Sequence, residues 1–277
     1  MKTCLHDRSA AITWIYLCLA LASCKPADSE IVDAVQTGDE PRTKALLERG
    51  ANPNAQDLSG LKNNLLCIAA RGGHLGIIRA LLQRGASQWH EPIRCAITAR
   101  QAEATRVLAK ASGANGVQRG TPPLTLAAQQ CHMPVIDALL SAGASVNGGK
   151  ARHIYPPLVT AAEKGHLACV RKFLAAGADV DRRDPLGCSA LFYAASKGLG
   201  EIAKLLLEHC ADPTLPNAAG HTAAFRANWL GHDAIVALFR AKGITDFGLR
   251  PPYKGGIRGP KVRVPHVEVR AAGGRTQ

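Results

Sequence analysis

A short phrase recurs along this chain: an apolar residue, then a pair of small residues, then a glycine-histidine turn that opens a second apolar stripe. Its clearest copy runs Leu158-Val159-Thr160-Ala161-Ala162-Glu163-Lys164-Gly165-His166, followed by Leu167, Val170, Phe173 and Leu174 and then Gly177-Ala178-Asp179. Aligned on the first apolar residue, the copies start at Ile31, Leu66, Ile93, Leu124, Leu158, Leu191 and Ala224, which are 35, 27, 31, 34, 33 and 33 residues apart. A period of this size belongs to a stacked array, in which each unit buries its apolar face only against its neighbours. The expected fold is therefore all-α, an elongated solenoid of about seven helix-turn-helix repeats. With 47% hydrophobic but only 4% aromatic residues, the chain suits thin layers of Leu, Ile, Val and Ala between helices.

Each copy carries the signals of two short helices. Ser189 and Thr222 stand where a side-chain oxygen caps the first helix, and Pro123 and Pro157 stand at first-turn positions whose amide has no intrahelical partner. The pairs Ala69-Ala70, Ala127-Ala128, Ala161-Ala162 and Ala194-Ala195 let helices approach closely. Gly50, Gly85, Gly143 and Gly177 follow the second helices, at the positive-φ position that ends a helix. In the sixth copy Cys210 takes that place, at a cost of about 1 kcal/mol if the backbone stays left-handed.

These residues resemble the ankyrin repeat, whose consensus places Thr-Pro-Leu-His, an alanine pair, Gly-His-Leu and Gly-Ala-Asp in this order. The resemblance covers residues 28–243 and is most specific in the fourth to sixth copies. The third copy is short and ends in Ser112-Gly113. At the family's first-helix histidine this chain has Cys67, Arg94, Thr125, Val159, Phe192 and Phe225, so the histidine's usual loop-stitching hydrogen bonds are missing. The resemblance implies a non-catalytic protein-protein interaction module that works without a cofactor or a metal.

Lys2 and Arg8 precede an apolar run from Ala10 to Ala22, the layout of a secretory signal. As a helix its thirteen residues span about 20 Å, short of the roughly 30 Å hydrocarbon core, which favours removal over membrane crossing. Leu21-Ala22-Ser23-Cys24 resembles the bacterial lipobox, in which the cysteine is lipidated and becomes the first mature residue. The expected organisation is a signal at 1–23, a short linker at 24–27 after lipidated Cys24, the repeats at 28–243 and a basic tail at 244–277. Two or three acyl chains suffice for stable anchoring. Lys25, in place of the aspartate that retains enteric lipoproteins at the inner membrane, points by analogy to the periplasmic face of the outer membrane. The rival expectation is a cytoplasmic protein with an uncleaved segment.

Six cysteines lie within the array: Cys67, Cys95, Cys131, Cys169, Cys188 and Cys210. They form no CxxC pair, which argues against a zinc site. An even count in an oxidising space permits disulfides, but the six occupy different repeat positions, and unpaired buried thiols are the expectation. Asp179, Asp181 and Asp184 share a loop with Arg182 and Arg183, so local charge neutralisation is expected there rather than cation binding. His74, His166 and His232 all fall on the glycine-histidine turn, which gives them a structural role. No Ser-His-Asp set, HExxH helix, phosphate loop or GxSxG elbow is present, and the protein is not expected to be an enzyme.

A net charge of +13 favours acidic partners. In the family, binding surfaces come from the outward loops and from the positions after the alanine pair. Carried over residue by residue, these are Arg119, Arg152, His153, Tyr155, Arg182, Arg183 and His221 in the loops, and Arg71, Gln129, Gln130, Lys164, Lys197 and Trp229 on the first helices. A basic groove and an acidic protein partner are expected, with the chain itself a monomer; neutralising an acidic periplasmic enzyme is one concrete role. Trp229 has an alternative use in packing on the final helix. Seven basic residues against Asp246 and Glu268 leave +5 on residues 244–277, which offers a rival reading as an anionic-polymer binder, although nucleic acid is not the expected partner.

Overall fold

The computed structural model describes residues 26–56, 64–86, 92–115, 121–149, 154–245 and 247. Among them the chain forms fourteen helices and no named strand, and an isolated bridge pairs Gln56 with Asn64. The helices fall into seven antiparallel pairs: α1 (Pro26–Thr37) with α2 (Glu40–Glu48), α3 (Leu65–Gly72) with α4 (Leu75–Gln83), and α5 (Pro92–Thr98) with α6 (Ala102–Ser112). Then come α7 (Pro123–Gln130) with α8 (Met133–Ser141), α9 (Pro157–Lys164) with α10 (Leu167–Ala175), α11 (Ala190–Lys197) with α12 (Gly200–Glu208), and α13 (Ala223–Leu230) with α14 (Asp233–Ala241). First helices stack on first helices and second helices on second helices, so the core is a ribbon that continues from Ile31 to Phe239.

Local chemistry sets the helix ends. The Phe192 amide donates to Ser189 Oγ at 3.2 Å and the Phe225 amide to Thr222 Oγ1 at 3.0 Å, as the capping signals predict. Asn64 caps α3 in the same way, accepting from the Cys67 amide at 2.8 Å. The first helices of repeats 2, 5, 6 and 7 end on Gly73, Gly165, Gly198 and Gly231 with φ between 70° and 76°. Repeats 3 and 4 place Arg100 (φ 59°) and Cys131 (φ 49°) in that left-handed position instead. Cys210 is left-handed too, at φ 63°. Each such residue carries a Cβ where glycine has none, a strain of about 1–2 kcal/mol.

The cysteines depart from expectation. Cys67 is bonded to Cys95 and Cys131 to Cys169, with Cα atoms 5.5 and 5.8 Å apart. Each bond joins neighbouring repeats, because cysteines at unlike positions in the sequence meet across an interface: Cys67 on α3 faces Cys95 on α5, and Cys131 in the α7–α8 turn faces Cys169 on α10. Cys188 is a free buried thiol, as expected, and Cys210 is free and exposed.

A ladder of side-chain bonds, one repeat long, joins the outward loops. Asn115 accepts from the Ser145 amide and donates to Gly143 O, Asn147 accepts from the Asp179 amide, and Asp181 accepts from the Asp212 amide, at 2.6–3.1 Å. These residues take over the stitching that the absent histidine performs in the family, helped by Thr125, whose hydroxyl donates to Tyr155 O at 2.8 Å. Asn115→Ala and Asp181→Ala should each lower stability by about 1–2 kcal/mol. Their urea midpoints should fall, while that of the exposed Lys204→Ala variant stays within about 0.5 kcal/mol of wild type.

Candidate binding surface

Repeats 4, 5 and 6 together form a cleft of about 260 Å³, lined by Thr121, Thr125, Gln129, Tyr155, Thr160, Glu163, Lys164 and Tyr193. The repeat spacing explains its composition. Thr160 and Tyr193 both stand two positions after the aligned apolar residue of their copies, Leu158 and Leu191. On α9 and α11 that row faces the cleft, α7 adds Thr125, and the residues after the alanine pair, Gln129, Glu163 and Lys164, form its rim. Tyr155 reaches in from the outward loop and is 42% exposed. A volume below the roughly 300–1,000 Å³ of small-molecule sites suits one anchoring side chain of a macromolecule.

One cleft wall is locked from behind. Asp184, buried at 6% exposure, accepts from the Leu186 and Cys188 amides at 2.9 and 2.8 Å and from the Tyr193 hydroxyl at 2.7 Å. Burial, followed by the hydrogen bond to the Asp184 carboxylate, pushes the Tyr193 phenol far above its ordinary value. Burial likewise raises the Cys188 thiol. Asp184 is thus a loop keystone. The expected charge neutralisation in this loop is corrected here: Asp179 accepts from the Asp181 amide and Asp181 from the Asp212 amide, while Arg182 donates to Gly149 O and Arg183 to Pro216 O. Carboxylates serve turns, and arginines reach the adjoining loops on either side.

Of the residues expected on the surface, Gln129, Tyr155 and Lys164 come together at the cleft. Gln130 is exposed beside Gln129 and Arg71 is exposed two repeats away. Lys164 Nζ lies 3.5 Å from Glu163 Oε1, and Lys197 Nζ donates to Glu163 O, so this stretch is mixed in charge rather than uniformly cationic. His221, Phe225 and Trp229 form a separate aromatic row on the last repeat, with ring centroids 5.0 and 5.7 Å apart. Trp229 is half-buried in that row. Cys24, Arg119, Arg152 and His153, with the signal segment and almost all of the tail, lie outside the described residues. Sequence reasoning missed Thr121, Thr125, Thr160 and Tyr193; the polar residues two places after Leu158 and Leu191 were the available signal.

The turn histidines are structural, as read. His166 Nε2 donates to Gln129 O at 3.1 Å and His232 Nε2 to Ser196 O at 3.3 Å, each reaching back one repeat to the first-helix end. The His74 ring packs over Gly38 and the His232 ring over Gly198, where an added Cβ would lie 2.5 and 2.8 Å from ring atoms. Among the described residues no group of three or more His, Cys, Asp or Glu is placed to hold a metal ion.

The repeat geometry defines a class: a helical-hairpin solenoid with a polar cleft on its first-helix face. The ankyrin-repeat family, in units of three copies, matches residues 31–150, 95–184 and 158–247. The chain belongs to the ankyrin-repeat family, whose domains are generally protein-protein interaction modules. Among solved structures it is similar to the human ASB11 ankyrin repeat domain, with 24% identity over 75% of this chain and 96% of that one and a TM-score of 0.61. It is also similar to the ankyrin repeat domain of Bcl-3, a member of the IkappaB protein family, with 23% identity over 76% and 97% and a TM-score of 0.66. Likeness at this identity speaks to fold alone. No curated protein matches the sequence.

Tyr193→Phe removes one donor from buried Asp184 and should cost about 1–3 kcal/mol at neutral pH. Because the folded phenol titrates above its unfolded value, its stabilisation is present in full below about pH 10 and is lost as pH rises beyond it. The gap in stability between wild type and Tyr193→Phe, followed by urea unfolding from pH 8 to pH 11, should therefore narrow above pH 10.

Proposed function

We propose that this chain is a non-catalytic, envelope-anchored binding module that holds an acidic protein partner against the first-helix face, with the cleft between Tyr155 and Tyr193 as its anchor point. The cleft is the observation that carries the reading. Its size admits a side chain, its lining offers hydroxyl, amide and ammonium groups, and Tyr155 supplies an exposed aromatic of the kind that dominates interface energetics. Lys164, Lys197 and Arg71 set a positive balance on the row after the alanine pairs, against Glu163 alone.

Two features support an envelope location over the cytosol. Leu21-Ala22-Ser23-Cys24 matches a lipidation signal, and paired cysteines accumulate in oxidising compartments such as the bacterial periplasm. A lipid tether at Cys24 leads directly into α1, which begins at Pro26, so the array is held close to the membrane and its effective concentration near an envelope partner rises without new contacts. Neutralising an acidic periplasmic enzyme fits this arrangement.

Cys24→Ser should move the protein from the membrane fraction to the soluble fraction and abolish the mass increment of lipidation at the mature amino terminus. For the partner recovered by cross-linking in native membranes, Tyr155→Ala combined with Lys164→Glu should weaken affinity about 10- to 100-fold. Equal affinity of that double variant and wild type, measured by titration calorimetry, would sink the cleft as the anchor point.

A further inference from the structure

The junction between repeats 4 and 5 is the looser one on its outer side. First helices α7 and α9 stack closely, but of all neighbouring second helices α8 and α10 make the least backbone contact. Three side-chain links cross this seam: the Cys131–Cys169 disulfide, the Lys172–Asp137 ion pair at 2.5 Å and the sulfur contact between Cys169 and Met133 at 3.8 Å. Cys131 occupies the left-handed turn position that glycine fills in five other repeats, while Cys169 is fully buried in α10. The seam also adjoins the cleft. Cys131 follows Gln129 by two residues, and the Gln129 carbonyl accepts from His166 at the start of α10.

We infer that the Cys131–Cys169 disulfide is a positioning bond that closes this seam and fixes Gln129 against the Glu163–Lys164 rim, so that the thiol-disulfide state of the chain sets the geometry of the cleft. The inference rests on the cleft being the binding site, but its test does not. Reduction by a dithiol passes two electrons and two protons to the two sulfurs, converting the disulfide to two thiols and the dithiol to its cyclic disulfide. The linkage across the α8–α10 seam then falls to the ion pair, the packing of Met133 and the His166–Gln129 hydrogen bond beside it. The α7–α9 contact persists, and the junction hinges open on its outer side. Cys67–Cys95 lies two repeats away, between first helices that already stack closely, and its reduction leaves the seam closed.

Hydrogen exchange on the full-length protein reads this directly and requires no partner, so its outcome stands apart from whether Tyr155 and Lys164 bind one. Peptide mapping without reductant should recover residues 131 and 169 as one cross-linked species. With dithiothreitol, amides in peptides covering 129–141 and 163–175 should exchange at least about fivefold faster, while those of α13 and α14 keep their rates. Cys131→Gly, which restores the residue suited to a left-handed turn and leaves the buried Cys169 in place, should show the reduced pattern without reductant. Cys95→Ala should keep the wild-type pattern at the seam. Recovery of Cys131 and Cys169 as free thiols, or identical exchange at the seam with and without dithiothreitol, would overturn the inference.

Discussion

Close approach between first helices is the constraint on which the remainder of this structure depends. A helical hairpin of this length has no interior of its own, and its apolar stripe is covered only when another hairpin lies against it. Small or compact apolar residues make that contact: Ala69, Ala70, Ala128, Ala161, Ala162, Ala194 and Ala195 are all fully buried, and Val35 and Ile97 take the second position in repeats 1 and 3. The last repeat shows the same rule from the other side. Where repeats 2, 4, 5 and 6 have their second alanine, the seventh has Asn228, and that residue is exposed. An exposed asparagine there replaces the buried apolar contact of those repeats. Ile244 and Phe247 still pack against the core there, and the Arg240 guanidinium lies 5.5 Å from the centre of the Phe247 ring.

Once hairpins stack, polar side chains find partners one repeat length away. Asn115, Asn147 and Asp181 tie loop to loop, His166 and His232 tie each turn to the preceding first helix, and Gln101 reaches Arg71 O at 3.5 Å in place of a histidine. None of these bonds exists within an isolated repeat. They are consequences of stacking that reinforce it, and each satisfies a backbone group left open at a loop or helix end. The cleft follows from the same registry, since Tyr155, Tyr193 and Gln129 come from three different repeats and meet only because the spacing between copies four, five and six is nearly constant.

Fold and repeat boundaries were legible because they rest on residues with one dominant physical use. Alanine pairs, capping Ser189 and Thr222, Pro123 and Pro157, and terminal glycines all act locally. The left-handed Cys210 was legible for the same reason. The disulfides were not, because Cys67 and Cys95 occupy different steps of their helices and the pairing of Cys131 with Cys169 depends on the angle at one junction. The roles of Arg182 and Arg183 were hidden for a related reason. A loop that contains both signs of charge suggests pairing within itself, whereas backbone carbonyls of the adjoining loops lie nearer to those guanidinium groups in the folded array. Cleft residues stood between: Gln129, Tyr155 and Lys164 were visible from the family's binding positions, while Thr160 and Tyr193 looked like ordinary helix residues until their shared register placed them in one row.

Those tethered cations change what a basic surface means. Lys197 and the two arginines spend N–H groups on carbonyl oxygens, which carry no net charge, so their positive field at a distance of several ångströms is undiminished while their capacity for close, charge-assisted pairing is reduced. Lys164 differs, because its contact with Glu163 is loose and leaves donors free at the cleft rim. The two kinds of cation therefore act on different parts of an encounter. In the function proposed above, tethered ones would steer an acidic partner in, an effect carried by association rate and weakened by salt, whereas Lys164 would act after contact, on dissociation. On that proposal the overall +13 charge would set how strongly an anionic surface is attracted, and the untethered donors beside Tyr155 would decide what is retained.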